Sequence, residues 1–305
     1  MIGERVLITG GSGLIGRALV DELAAARTEA VVLSRRPEAV RGLPAGARAA
    51  GWDGASAAGW AELAEGAAAI VHLAGENVGE GRWTAERKRR LRDSRLRSGE
   101  AVVAAVRAAR RPPRVLLQAS ALGYYGARGD QVLDEAAAPG EGFLGELSRD
   151  WEASTAAVEA LGVRRAVLRT GLVLSRRGGA LPRLLLPFRL GLGGPMGSGR
   201  QYWPWIHLAD EVGAIRFLLA AESAAGAFNL AAPQPLPNRE FGRVLGRVLR
   251  RPALMPAPAF ALRAALGEMA TIVLDGQRAV PRRLLAAGFG FRFPELEGAL
   301  RDLLD

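Results

Sequence analysis

Cysteine is absent from this chain of 305 residues, lysine occurs once, at Lys88, and histidine twice, at His72 and His207. Without cysteine there is no disulfide, no thiol nucleophile and no thiolate metal site. Two histidines are too few for an imidazole-based centre, so no metal is expected. No apolar run reaches the roughly 20 residues that a membrane-spanning helix needs. The opening residues Met1-Ile2-Gly3-Glu4-Arg5 lead straight into an apolar segment and leave no room for a signal peptide, so a cytoplasmic protein without a membrane partner is expected. Tyrosine is scarce as well, with Tyr124, Tyr125 and Tyr202 only, which limits the side chains available for proton transfer near neutral pH.

Charge is plentiful but unbalanced, with a formal net charge of +10 and a pI near 11.2. The positive residues are spread from Arg5 to Arg301 as a compositional bias would spread them. The densest run, residues 82–97, sets eight basic residues against Glu86 and Asp93, and only Trp83 is interleaved to stack a base. A solvated helix face is therefore expected there rather than a nucleic-acid surface. A hydrophobic content of 49% over this length supports one large α/β domain or a domain with an attached lobe.

The most informative segment is Arg5-Val6-Leu7-Ile8-Thr9-Gly10-Gly11-Ser12-Gly13-Leu14-Ile15-Gly16. A short apolar strand runs into glycines spaced G-x-x-G-x-x-G, and these lead into a helical pattern, which is how a dinucleotide pyrophosphate is cradled. Gly10 serves the tight turn, Gly13 lets backbone amides approach the phosphates, and Gly16 lets helix and strand pack closely. The second strand, Ala30-Val31-Val32-Leu33, ends in Ser34-Arg35-Arg36. An NAD-binding chain carries an acidic residue there for the ribose 2′-OH. A hydroxyl and two guanidiniums suit a 2′-phosphate instead, so NADP(H) is expected over NAD, the alternative being two solvated arginines.

Strand and helix patterns alternate through the first 170 residues, the mark of a doubly wound parallel sheet of Rossmann type. Further strands are expected at residues 47–52, 69–73, 114–120 and 164–170, and the longest helices at residues 83–109 and 143–161. An NADP-binding domain over residues 1–170 is then followed by a smaller, mainly helical substrate lobe over residues 171–305, with parts of 200–232 packing back on the first domain. The glycine-rich run at residues 191–199 suits either a loop that closes over substrate or a plain connector. A helix is expected from Asn238, a plausible cap, with Phe241, Val244, Leu245 and Val248 on its apolar face.

With these landmarks together, the chain resembles the extended branch of the short-chain dehydrogenase/reductase superfamily, and within it the NADP-binding epimerase-family proteins with a C-terminal extension. The residues that carry the likeness are the glycine motif, His72-Leu73-Ala74-Gly75-Glu76-Asn77, Ser120-Ala121-Leu122-Gly123-Tyr124-Tyr125-Gly126, Trp203-Pro204-Trp205-Ile206-His207 and Gly276-Gln277-Arg278-Ala279-Val280-Pro281. The resemblance implies that Leu73, Ala74 and Gly75 pass under the adenosine ribose and that Asp53 meets the adenine amino group. It also implies that Ala119 and Ser120 end beside the nicotinamide, where Arg169, Gly171 and Leu172 line its far end. Extended members often pair through the two long helices, but the first is so basic here that like charges oppose it, leaving monomer or homodimer open.

One departure matters more. Active members use a Tyr with a Lys four residues later, and a Ser, to move the substrate hydroxyl proton. With Lys88 as its only lysine, this chain has no such pair. The slot falls on Phe143 and Leu147 or on Leu144 and Ser148, and the serine position falls on Ala121. Two classes of function stay open. In one, an NADP-dependent epimerase or oxidoreductase uses other groups, the candidates being Tyr124, Tyr125, Tyr202, Glu76 and His207, with Arg95 or Arg169 lowering a tyrosine pKa. In the other, the fold is kept for NADP(H)-responsive binding of a protein partner, a role that the division-inhibitor-like label borne by related proteins would suit. Ala121, Tyr125, Trp203, Trp205 and His207 form the expected substrate wall, suited to a flat ligand, and the arginine-rich lobe favours an anionic substrate such as a nucleotide sugar.

Overall fold

The structure, a computed structural model, describes residues 3–305. The N-terminal half contains β1 (Arg5–Thr9), α1 (Leu14–Ala25), β2 (Glu29–Ser34), β3 (Ala47–Gly51), β4 (Ala69–His72), α2 (Ala85–Ala108), β5 (Val115–Ala121), β6 (Val132–Leu133), α3 (Phe143–Ala153) and β7 (Arg164–Thr170). There follow β8 (Leu172–Leu174), α4 (Leu181–Arg189), β9 (Tyr202–Trp203), β10 (Trp205–His207), α5 (Leu208–Ala220) and β11 (Gly226–Leu230). The chain ends with β12 (Leu236–Pro237), α6 (Asn238–Leu249), α7 (Ala259–Leu266), α8 (Thr271–Leu274), β13 (Arg278–Ala279), α9 (Arg282–Ala286) and α10 (Leu296–Leu304).

Seven strands form one sheet in the order β11-β7-β5-β4-β1-β2-β3, every pair parallel. Strands buried on both faces read as continuous apolar runs rather than alternating ones, and Val6-Leu7-Ile8 and Ala30-Val31-Val32-Leu33 are buried without a break. One face packs Leu19, Val20 and Leu23 of α1 and Ile215 and Leu218 of α5 against the sheet. The other packs Val102, Ala105 and Val106 of α2. The strand order reverses between β1 and β4, and ligands of such sheets bind in the crevice at the carboxyl ends there. Strand β11 and helix α5 belong to this sheet layer, so residues 208–230 return to the first domain. Among the described residues no helix is long and apolar enough to cross a membrane.

The C-terminal lobe has its own core, with Leu181, Leu185 and Phe188 of α4 against Phe241 and Leu245 of α6 and Leu296, Leu300 and Leu303 of α10. It is tied back by Asp210 of α5, whose carboxylate accepts from the amides of Arg292 (2.7 Å) and Phe293 (2.9 Å). Asn238 opens α6, but its side chain does not cap that helix. It accepts from Met196 N at 2.7 Å and holds the glycine-rich run in place. Residues 193–197 are tied further by Met255 N to Gly193 O (3.0 Å), Ala257 N to Pro195 O (2.9 Å) and Gly197 N to Ala257 O (2.8 Å), so this part of the run connects the lobe to residues 255–257.

The first long helix runs as expected, starting where the Thr84 hydroxyl accepts from Arg87 N and stopping before Pro112-Pro113. The second does not reach residue 161. It ends at Ala153, where the Ser154 hydroxyl donates to Trp151 O at 2.7 Å, and a 3-10 segment (Ala156–Leu161) follows. Short hydroxyl side chains compete for backbone partners in this way and interrupt helices. The break lets Ser154 and Thr155 seat against Gly99 of α2, where an added Cβ would collide with the Ser154 hydroxyl and lie 2.7 Å from its Cβ. Replacing Gly99 by Ala gains about 1 kcal/mol in helix propensity, against about 1–3 kcal/mol for overpacking. The expected outcome for Gly99→Ala is a net loss of stability, read as a lower urea midpoint at unchanged m-value; a raised midpoint would refute the close α2 contact.

Candidate functional site

The cradle is built by backbone approach. At Gly10 the chain turns with φ +68°, and a Cβ there would sit 2.8 Å from both the carbonyl carbon and oxygen of Leu73. At Gly16 a Cβ would lie 2.6 Å from Gly11 Cα and would also strike the Gly10 carbonyl, so the first turn of α1 presses directly on the loop. Gly13 N closes the turn on Gly10 O at 3.0 Å. Helix α1 starts at Leu14 with no side-chain cap and no acidic residue in its first turn. The amides of Leu14, Ile15 and Gly16 therefore keep the partnerless character of a helix start, beside exposed Ser12, which is what a pyrophosphate requires. The loop also rests on Val32 through Gly11, a contact that the motif spacing did not reveal.

The end of β4 is locked against this loop by a buried hydrogen-bond chain. Ala74 N donates to Thr9 Oγ1 (3.1 Å), and the Thr9 hydroxyl donates to His72 Nδ1 (2.7 Å). That leaves the proton on His72 Nε2, which donates to Ser98 Oγ (3.3 Å), and Ser98 in turn donates to Arg95 O (3.0 Å). Burial pushes His72 down to about 3, so it is neutral and structural. The segment Leu73-Ala74-Gly75 is held by this chain. Beyond it, a Cβ on Gly75 would come within 3.3 Å of the Arg95 guanidinium.

Arg95 is the unusual charge of the site. It is 7% exposed, stacks on Trp151 (4.6 Å to the ring centre) and donates one bond to Leu91 O (2.9 Å), while its Nε has no partner. No carboxylate pairs with it among the described residues, and burial lowers its pKa to about 10, so it stays charged. The Glu76 charge acts on it without pairing, and a buried guanidinium with no direct ion pair is costly unless an anion is supplied. Glu76, by contrast, is committed to Arg87 and Arg90; burial works against its charge, but these two guanidiniums outweigh that and keep it ionised. It is a structural anion.

At the end of β2, Ser34 Oγ accepts from Arg36 N at 3.2 Å, and the side chains of Arg35 and Arg36 are exposed with no ion pair among the described residues. Asp53 lies beyond β3 and holds its own loop, its carboxylate accepting from the Ser56 hydroxyl (2.6 Å) and from the amides of Ala55 and Ser56 (2.8 Å each). The hydroxyl bond leads the causes that keep it below the ordinary carboxylate range.

At the ends of β5 and β7 lies a second buried network. Ser120 donates to Glu152 (2.6 Å), and Arg169 grips both Glu152 oxygens (2.9 Å each). Arg169 also donates to the Tyr125 hydroxyl (3.0 Å), which donates to Asn229 Oδ1 (2.7 Å). The Tyr124 ring lies 3.5 Å under the Arg169 guanidinium. These partners correct the catalytic and substrate roles expected of Tyr125. It is fully buried, and burial raises its pKa despite Arg169. The half-buried Tyr124 ring packs on Arg169 as well. Glu152 and Asn229 were not singled out from the sequence; the only signal was a charged residue beside Leu147, Ser148 and Trp151, the buried face of α3.

His207 also changes role. Its Nδ1 accepts from Ala209 N (3.1 Å), capping α5, its Nε2 lies 3.3 Å from Asp302, and its ring stacks on Phe293. Trp205 is 1% exposed in the core of the lobe. Neither reaches the cleft. Trp203 and Ala121 do, along with Thr170, Gly171 and Leu172, in a cavity of about 450 Å³ that opens beside the ends of β5 and β7. Phe143 and Leu144, at the expected tyrosine slot, form part of its wall, whereas Leu147 and Ser148 are buried behind them. The opposite wall comes from residues 268–277, which sequence reasoning did not assign to the site.

A seven-stranded parallel sheet with a glycine cradle at its switch point and a cleft under a helical lobe defines an extended short-chain dehydrogenase/reductase fold. Residues 6–231 match the family model described as the NAD dependent epimerase/dehydratase family, and residues 257–303 match a domain of unknown function, DUF1731. The chain belongs to the NAD dependent epimerase/dehydratase family. It is 41% identical over 296 residues to an epimerase family protein of Mycobacterium leprae, covering 97% of this chain and 94% of that protein. To the epimerase family protein SDR39U1 of Mus musculus it is 37% identical, covering 98% and 99%. A crystal structure of human epimerase family protein SDR39U1 (isoform 2) with NADPH superposes with a TM-score of 0.86 at 36% identity, covering 98% of each chain.

Glu211, directly behind Thr170, gives the site a pH signature. It is 1% exposed, accepts only from the Thr170 hydroxyl (2.9 Å), and burial pushes it up to about 8. A carboxyl raised from 4.5 in this way stabilises the fold fully below pH 4.5 and loses that contribution as pH rises through 8. His72, lowered from 6.5, has the opposite sign: its contribution is present above 6.5 and is lost as pH falls toward 3. The two oppose each other between 4.5 and 6.5, and above that Glu211 acts alone. Stability is expected to fall by on the order of 2 kcal/mol from about pH 6.5 to about pH 8.5, and Glu211→Gln is expected to flatten that limb in urea titrations. An equal fall in the variant would refute the assignment.

Proposed function

We propose that this chain is an NADP(H)-binding oxidoreductase-like protein of the cytoplasm that presents the reduced nicotinamide to a small molecule in the cleft beside Ala121 and Leu172. The observation that carries the reading is the end of β2, where Ser34, Arg35 and Arg36 replace the acid of NAD-specific chains and leave two exposed guanidiniums without carboxylate partners. The open start of α1 and the unpaired Arg95 beneath Gly75 support it, because both call for the anionic groups of a dinucleotide. The NADPH reported with the human relative supports the same choice. The cofactor, when bound, supplies a hydride. This chain's residues orient it: Leu73 to Gly75 as a fixed floor, Ala119 to Ala121 and Gly171 to Leu172 at the nicotinamide end.

The apolar slot at Phe143 and Leu144 removes the usual proton relay and favours a second reading as well, in which NADP(H) binding governs recognition of a protein partner without turnover. The two readings share the cofactor. Charge-assisted bonds to phosphate contribute about 1.5–3 kcal/mol each, so Arg35→Ala with Arg36→Ala is expected to weaken NADPH binding by at least about 10-fold while leaving NADH binding nearly unchanged. Calorimetry with both coenzymes checks this, and equal losses for the two would overturn the 2′-phosphate assignment. Saturable NADPH oxidation separates an enzyme from a sensor.

A further inference from the structure

The cleft that adjoins the nicotinamide end has a charge pattern opposite to that of the whole chain. Its walls are mostly apolar, with Trp83, Phe143, Leu144, Leu172, Trp203 and Val273. No lysine or arginine lines it, whereas Glu141, Glu268 and Asp275 do. Lys88 pairs with Glu268 from outside, but Glu141 is exposed at the rim and forms no ion pair among the described residues. Asp275 is half-buried and feels only Arg263 at a distance. A phosphate brought into this cavity would lose hydration and meet carboxylates in place of cations, a combination that costs several kcal/mol at about 450 Å³ of mostly apolar space. The adjoining groove does carry Arg200 and Arg239, but it sets Asp130, Glu240 and Asp275 against them, so it offers no clamp for a diphosphate.

The second observation concerns protons. Reduction of a simple ketone needs an acid at the carbonyl oxygen. Around this cleft the tyrosine slot is Phe143 or Leu144, the serine position is Ala121, the nearby Ser120 and Tyr125 are turned into the buried network of Glu152 and Arg169, and Tyr202 stands at the side shared with the adjoining groove. An acceptor whose reduced form is a delocalised anion does not need that acid.

We propose that this cleft takes an uncharged, apolar, conjugated carbonyl compound, an enone or a quinone, as hydride acceptor, and turns away phosphate-bearing substrates. The proposal rests on the NADP(H) reading above and departs from the anionic substrate that the net charge favours. A quinone takes the hydride and, with a proton from water, becomes a hydroquinone, and for an enone the balance is equally complete. Hydride from the reduced cofactor forms a C–H bond at the β-carbon, the C=C π pair moves onto the carbonyl as an enolate, and water supplies the proton at the α-carbon. The acceptor gains two electrons and the cofactor is left oxidised.

The test uses the full-length protein and two readouts. Quenching of tryptophan fluorescence, with Trp83 and Trp203 in the cleft wall, is measured on cofactor-free and NADPH-loaded protein with naphthoquinone, a naphthoquinone sulfonate and UDP-glucose. NADPH oxidation is then followed with naphthoquinone and with cyclohexenone. Expected are saturable quenching by naphthoquinone at least about 10-fold tighter than by its sulfonate, loss of that preference in Asp275→Lys, and saturable NADPH oxidation by at least one of the two acceptors. Equal affinity for the two quinones, tighter binding of UDP-glucose than of naphthoquinone, or NADPH-loaded protein that turns over neither acceptor would overturn it. If NADPH itself fails to bind, the function proposed above falls, while quenching of the cofactor-free protein still decides which ligand class the cleft accepts.

Discussion

The contact on which the rest of this molecule depends is the seating of the Gly10 turn against the Leu73 carbonyl. A single Cβ at residue 10 would enter the space of that peptide at 2.8 Å, so the ends of β1 and β4 meet backbone to backbone. The buried chain from Ala74 through Thr9 and His72 to Ser98 then fastens the same two strands to α2. Because His72 is kept neutral, this clamp adds no charge beneath the crevice. The buried charge there is Arg95, whose guanidinium lies under Gly75 and stacks on Trp151, with the Glu76 carboxylate acting on it from nearby. Close packing, a neutral relay and a single cation together make a rigid floor with a positive centre, which is what an anionic dinucleotide needs and what few other ligands would use.

At the far end of the floor the same economy serves a different purpose. Ser120, Glu152, Arg169, Tyr125 and Asn229 satisfy one another, and the bidentate Arg169–Glu152 pair is 6% and 14% exposed at its two side chains. Burial alone would weaken the charge on Arg169, but the bonds from Glu152 more than restore it. A fully satisfied buried network rigidifies its surroundings, whereas a half-satisfied one would be a liability. Polar residues that lie at the reactive end of the sheet thus hold β5, β7, β11 and α3 together, and the cleft above them is left with apolar walls.

Much of this was legible in the sequence, and the limits have physical causes. The apolar runs of the inner strands and the glycine spacing are local signals, and they place the sheet and the turn before α1 correctly. The roles of Tyr125 and His207 depend on which way a side chain leaves a turn. The 3-10 turn at Leu122–Tyr125 sends one into the core, and the extended backbone at His207 sends the other onto the start of α5. Neither direction is encoded in the residue's neighbours along the chain. The end of α3 is marked by the Ser154 hydroxyl, which bonds back to Trp151 O, while the space on Gly99 that receives Ser154 lies some fifty positions earlier and no periodicity within residues 143–161 could register it. The wall formed by residues 268–277 is likewise a long-range product, fixed in part by Gln201 and Trp203 donating to Val273 O.

Net charge illustrates why composition is a poor guide to a cavity. A chain with +10 overall creates a field that draws anions from solution, and that field acts on NADP(H) and on an anionic substrate alike. What separates them is the local lining. Under Gly75 lies a guanidinium with no ion pair among the described residues; in the cleft the charged groups are Glu141, Glu268 and Asp275. Within a few ångströms of a poorly hydrated wall, the nearest charges outweigh a distant surplus screened by salt over about 8–10 Å. The basic surface therefore acts on the cofactor's arrival, and the acidic, apolar cleft acts on what shares the site with it. The matched region of unknown function supplies Glu268 and Asp275 to one wall of the cleft.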